Sequence, residues 1–123
     1  IGPNLVTNGT FDTGASGWDL YDCGSWGNGQ LTVNYTSSCN YDDLTTTINV
    51  QAGQGYQVSF DVTAESGDQI YVYDYNSYGN STLLGVGHHT YTFYPTTSGS
   101  DTLDFEGWNW TNSSSWGYVL RLL

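Results

Sequence analysis

The residues best equipped for chemistry in this chain are aromatic rings and carboxylates rather than nucleophiles or bases. The segment Ile70-Tyr71-Val72-Tyr73-Asp74-Tyr75 alternates so that Ile70 and Val72 share one face of a strand while Tyr71, Tyr73 and Tyr75 share the other. With Ile70 and Val72 turned inward, the tyrosines form an outward row spaced about 7 Å apart along the strand. Two readings of that row stay open: a platform for flat ligands such as sugar rings, and cross-strand packing that stiffens the sheet. A second constellation is Leu103-Asp104-Phe105-Glu106-Gly107-Trp108-Asn109-Trp110. Leu103 and Phe105 suit a core, which sets Asp104, Glu106, Trp108 and Trp110 on the opposite parity. Indoles stack on the C–H faces of pyranose rings and carboxylates accept from vicinal hydroxyls, so rings and acids on one surface fit sugar recognition.

The same acids invite a catalytic reading. Asp104 and Glu106, two apart on a strand, would hold carboxyls about 6 to 7 Å apart, near the span of glycosidase pairs. Such pairs usually come from different strands lining a deep cleft, and twelve acids make chance pairs common. His88 and His89 are present, but no Gly-x-Ser-x-Gly elbow accompanies them. No enzymatic activity is expected.

Composition narrows the partners. Twelve acids face one base, Arg121, with no lysine, for a formal net charge of −11. Nucleic acid is excluded, because nothing basic is available to displace counterions from phosphates. An anionic membrane surface would repel the chain, and no apolar run approaches the roughly 18 to 20 residues that span a bilayer. Strongly acidic glycans are disfavoured in the same way unless calcium bridges them. A length of 123 residues suits one domain over 1–123, and 37% hydrophobic with 16% aromatic residues is enough to fold it. The first residue is Ile, from which a processed product or a domain of a larger polypeptide is expected. Cys23 and Cys39 lie 16 positions apart in a Gly-, Ser- and Asn-rich stretch. A disulfide in an oxidising compartment is expected, two unpaired thiols being the alternative. Zinc is not, since no His pair matches them.

Positioning these groups falls to strands. Alternation marks Leu31–Tyr35, Leu44–Val50, Tyr56–Thr63, Ile70–Tyr75, His89–Tyr94, Thr102 to about Glu106, and Tyr118–Leu123. Gly-rich turns or Pro95 close several of them, and helical spacing is absent. Seven or more short strands in one helix-free domain indicate an all-β antiparallel β-sandwich, or jelly roll, with a small closed barrel as the alternative. Trp18 is expected in the core, Trp26 at the surface, and Trp116 as a lid or a packing residue.

Asn4-Leu5-Val6-Thr7-Asn8-Gly9-Thr10-Phe11-Asp12, followed by Gly17-Trp18, resembles the opening signature of carbohydrate-binding modules of the family 4, 9, 16 and 22 type. Val50 to Asp61 resembles the same modules' "V-x-x-G-x-x-Y-x-x-S-F" strand pair, and His89 to Phe93 their penultimate strand. The resemblance implies a β-jelly roll that binds a polysaccharide or oligosaccharide without cleaving it, usually in a secreted protein. The opening also resembles jelly-roll domains of bacteriophage tail and surface proteins. That implies, as the rival, a structural or adhesive subunit of a virion or extracellular assembly whose aromatic faces serve self-assembly. Members of the family commonly bind a structural calcium, for which Thr10 and Asp12 match the opening ligands. The carboxylate expected in the last strand is replaced by Leu120, which removes one ligand from an ion that needs six to eight oxygens.

Overall fold

The computed structural model describes residues 5–6, 9, 11–12, 14–36, 38–39, 43–65, 70–77, 84–107 and 115–122. They form strands β1 (Trp18–Asp19), β2 (Gly24–Gly27), β3 (Gln30–Thr36), β4 (Asp43–Val50), β5 (Tyr56–Glu65), β6 (Ile70–Asp74), β7 (Gly87–Phe93), β8 (Gly99–Gly107) and β9 (Ser115–Leu122). A four-stranded sheet runs in the order β1-β4-β8-β6 and a five-stranded sheet in the order β2-β3-β9-β5-β7. Every strand pairing is antiparallel, and no helix occurs among the described residues. This is the antiparallel β-sandwich that the alternation indicates.

The core fills from the inward parity of both sheets. Leu44, Ile48, Val50, Ile70, Val72, Leu103 and Phe105 come from the four-stranded sheet, and Leu31, Val33, Val58, Phe60, Val62, Tyr91 and Phe93 from the other. Phe60 and Phe105 meet edge to face across the layers at 5.1 Å, a geometry that the ring quadrupoles favour. Trp18 is buried, as the opening motif implies, with Phe11 edge-on at 5.3 Å.

The strands that alternation misses are those without it. β1 has two residues, and β2 reads Gly-Ser-Trp-Gly at an edge, where backbone pairing with β3 suffices. β8 begins at Gly99 rather than Thr102, because the exposed, polar Gly99-Ser100 pairs with Val50 and Asn49 through backbone alone.

Cys23 and Cys39 form a disulfide with Cα atoms 6.0 Å apart, tying the turn before β2 to the segment after β3. Closing a loop of this size restricts the unfolded chain by about 3 kcal/mol. Reduction is expected to lower the unfolding free energy by that amount in urea titrations with and without dithiothreitol. A loss below about 1 kcal/mol would show that the bridge adds nothing beyond what packing already holds.

Candidate functional site

The outward face of the four-stranded sheet collects the residues singled out from sequence. Ile70 and Val72 are buried, so Tyr71, Tyr73 and Tyr75 project from the other side of edge strand β6 and of the turn that follows it. On β8, Leu103 and Phe105 enter the core and set Asp104 and Glu106 on this same outer face. Tyr71 lies opposite Glu106, and Tyr73 opposite Asp104. Beyond β8, β4 brings Asp43 opposite Glu106 and Thr45 opposite Asp104.

The tyrosine row differs from a flat platform in one respect. Its rings lean on one another, with centroids 5.6 Å apart for Tyr71 and Tyr73 and 5.7 Å for Tyr73 and Tyr75, each pair inclined by 19°. That is closer than the roughly 7 Å of the backbone repeat, so the middle ring spends both faces on its neighbours. Cross-strand bonds draw the rings together. Tyr71 donates to Glu106 Oε2 at 2.6 Å, while Tyr73 and Tyr75 both donate to Asp104 Oδ2 at 2.9 and 3.0 Å. Burial, followed by the charges and hydrogen bonds of these acids, pushes all three phenols well above the ordinary tyrosine range, so they act as fixed donors.

Asp104 therefore has a different position from the one expected of it. It lies on the outer face but is 0% exposed, sealed beneath two of the tyrosines that hydrogen-bond to it. The carboxylate presents no exposed surface to a ligand in this structure, because parity fixes the face of a strand but not what neighbouring strands fold over it. Glu106 is half-buried. Trp108, Trp110 and Thr10 lie outside the described residues. Asp12 sits at an exposed bend, Trp26 is 41% exposed as expected, and Trp116 is on β9 opposite Tyr35.

Next to this row the same face carries a groove of about 510 Å³. Tyr21 and Tyr75 line it, with Asp19, Thr45, Thr47 and Thr102 among its other lining residues. Tyr75 is 54% exposed and Tyr21 38%. The backbone holds Tyr21 out: Gly24 N donates to Leu20 O at 3.0 Å, and Tyr21 N donates to Asp19 Oδ1 at 2.9 Å. Tyr21 itself adopts φ 54°, the left-handed region that non-glycine residues seldom occupy. A Cβ on Gly24 would lie 2.4 Å from Leu20 O, so this tight turn requires glycine. Sequence reasoning passed over Tyr21, Asp19 and the threonines. The outward parity of Thr45 and Thr47 was the available signal, whereas no periodicity marks the turn that carries Tyr21.

A buried acid pair holds the other wall. Asp101 and Asp74 are each 1% exposed on the core side of the sheet, Asp74 directly opposite Leu103 and Asp101 two residues before Leu103 on β8. Asp101 Oδ1 accepts from Asn76 N at 2.9 Å, and Tyr75 N donates to Thr102 O at 3.1 Å, which fixes the turn that presents Tyr75. Asp74 Oδ1 accepts from Ser77 Oγ and, across the sandwich, from the Tyr91 hydroxyl at 3.0 Å. Each acid keeps Oδ2 buried without an ordinary donor. Burial first, and hydrogen bonding to Asp74 second, push the Asp101 carboxyl up to about 6.

A folded pKa above the unfolded one contributes stability that is full at acid pH and is lost as pH rises through about 6. Raising the pH from 5 to 7.5 is expected to lower stability by about 1 kcal/mol through this group, nearly all of it lost by about pH 6.5. Asp101→Asn, which keeps a neutral donor at every pH, is expected to flatten that slope in thermal melts. An unchanged slope in the variant would assign the dependence to other acids.

The opposite outer face, on the five-stranded sheet, has a different character. Between β5 and β7 it presents Gln57, Ser59, Asp61 and Thr63 beside His88, Thr90 and Thr92, with His88 Nδ1 2.7 Å from Asp61 Oδ1. Among the described side chains, rings beside a groove are found on the four-stranded side.

No protein-family model matches the sequence, and no curated protein matches it. Solved structures do match in fold. The N-terminal cellulose-binding domain of Cellulomonas fimi β-1,4-glucanase C superposes with a TM-score of 0.64 at 17% identity, over 98% of this chain and 95% of that one. A CBM4 structure superposes with a TM-score of 0.62 at 15% identity, covering 96% of this chain and 99% of the other. A CBM61 module in complex with β-1,4-galactotriose gives 0.57 at 15% identity, covering 99% of both chains. The chain thus has the β-sandwich fold of carbohydrate-binding modules, as its opening motif implies.

Proposed function

We propose that this chain is a non-catalytic glycan-binding module that holds a neutral polysaccharide in the groove on the outer face of its four-stranded sheet. The observation that carries the reading is the pairing of Tyr21 and Tyr75 with threonine hydroxyls and Asp19 in one groove of about 510 Å³. Aromatic faces accept the C–H faces of pyranose rings, and short hydroxyls exchange hydrogen bonds with sugar hydroxyls at little entropic cost. The groove lies on a fold shared with a cellulose-binding domain and a galactotriose-bound module, which points to β-1,4-linked neutral chains first.

The charge of −11 supports neutral over polyanionic ligands. The burial of Asp104 supports binding over hydrolysis, since a general acid or base must reach the substrate within hydrogen-bond distance. The disulfide supports an oxidising, extracellular setting.

Affinity electrophoresis tests the reading. Retardation is expected in gels containing soluble cellulose derivatives, β-1,4-galactan or xylan, and none is expected in alginate or sulfated galactan. Retardation by none of the neutral chains, together with large assemblies in light scattering, would overturn it in favour of a self-associating structural subunit. Reducing ends released by the chain and lost on Glu106→Gln would overturn the non-catalytic part.

A further inference from the structure

We propose that Asp43, Asp104 and Glu106 form a divalent-cation site on the outer face of the four-stranded sheet, with calcium the ion to test first. Asp43 and Glu106 are direct cross-strand partners of β4 and β8, and Asp104 stands two residues before Glu106 on the same face. One carboxylate oxygen from each lies within 4.8 Å of those of the other two. Like charges set directly opposite across a sheet destabilise it, so this cluster needs compensation.

The sheet does not supply a cation of its own. Strands β1, β4, β6 and β8 contain no Lys, Arg or His, and the single basic residue, Arg121, lies on β9 of the other sheet. An acid cluster alone would not make a site. The second observation is Asp104 itself: it is 0% exposed, its Oδ2 takes both tyrosine hydroxyls, and its Oδ1 is buried with no donor. An unmet carboxylate oxygen in a dry position is costly, and a cation held by Asp104 offsets that cost.

The ligand chemistry points to a hard cation. Three carboxylates offer between three and six oxygens, and calcium completes its shell of six to eight with water or a ligand's hydroxyls. Half-buried Asp43 and Glu106 give access from solvent. The hydroxyls of Tyr71, Tyr73 and Tyr75 then act as donors that orient the Glu106 and Asp104 carboxylates, as outer partners do in built metal sites. These three acids are other residues than the Thr10 and Asp12 of the opening motif, and the proposal does not depend on glycan binding.

The experiment is calorimetric titration of the chelator-treated full chain with calcium chloride and no sugar, repeated with terbium read by emission sensitised through tyrosine. One ion per chain is expected, with a dissociation constant below about 1 mM. Asp43→Asn and Glu106→Gln, both at half-buried positions, are each expected to weaken binding about tenfold or more while the melts stay cooperative. Asp104→Asn is the stricter variant, but its burial threatens folding, so the other two carry the test. The proposal is overturned if neither ion binds at about ten times that concentration, or if binding survives Asp43→Asn and Glu106→Gln. Binding lost on Asp12→Asn instead would also overturn it and locate the ion at the opening strand.

Discussion

Truncating Tyr21 and Tyr75 together to alanine is expected to lower affinity for the best neutral glycan about 100-fold. Ring stacking on a bound sugar is worth roughly 1 to 2 kcal/mol per aromatic residue, and anchors of this kind dominate small interfaces. Two rings removed therefore amount to about 3 kcal/mol, or two orders of magnitude in the dissociation constant. The two positions separate the ring from its hydroxyl. Tyr75→Phe keeps the face in the groove and gives up the bond to Asp104 Oδ2, which Tyr73 still satisfies. It is expected to retain affinity within about threefold, a change well under 1 kcal/mol. Isothermal titration of the unaltered chain, the double variant, Tyr75→Phe and Tyr75→Ala with a soluble oligosaccharide reads the result. Equal losses for Tyr75→Phe and Tyr75→Ala would mean that the hydroxyl network, rather than the exposed ring, carries recognition.

Phe105→Ala is expected to cost about 3 to 5 kcal/mol of folding stability, the usual range for removing a fully buried phenylalanine. The ring is 0% exposed, meets Phe60 of the facing sheet at 5.1 Å, and lies 5.9 Å from Trp18. It thus joins β8 to β5 and to β1. Set against a total of roughly 5 to 15 kcal/mol, the change removes a third or more of the stability of a typical domain. Phe105 also stands between Asp104 and Glu106, so its inward anchoring sets the outward direction of both acids. Phe105→Leu, which refills most of the space, is expected to cost about 1 to 2 kcal/mol. Urea denaturation followed by far-ultraviolet circular dichroism measures both. A loss below about 1.5 kcal/mol for the alanine variant would show that the layers are held mainly elsewhere.

Much of the scaffold is legible in the chain because one physical rule, the two-residue repeat of a half-buried strand, acts along most of it. Val58, Phe60 and Val62 read as inward and are buried, as are Ile70, Val72, Leu103 and Phe105. The outward placement of Tyr71, Tyr73, Tyr75, Asp104 and Glu106 follows from the same parity. Parity says nothing about neighbours that are distant in sequence. It does not reveal that β6 pairs with β8, that tyrosine hydroxyls cover Asp104, or that Asp43 on β4 faces Glu106 on β8. Nor does it mark a turn. Tyr21 reaches the groove through the Leu20–Gly24 hydrogen bond and a left-handed backbone, features with no periodic signature. The scaffold is a property of local pattern, whereas the groove is a property of strand order.

The most direct test of the glycan-binding proposal is a chemical-shift titration of the isotope-labelled chain with a soluble β-1,4-linked oligosaccharide. Backbone shifts are expected to move in a saturable way at Asp19, Tyr21, Thr45, Thr47, Tyr75 and Thr102, while Ser59, Asp61, His88 and Thr90 on the opposite sheet stay still. Shifts confined to that opposite sheet, or none with any neutral glycan, would contradict a binding groove on the four-stranded side.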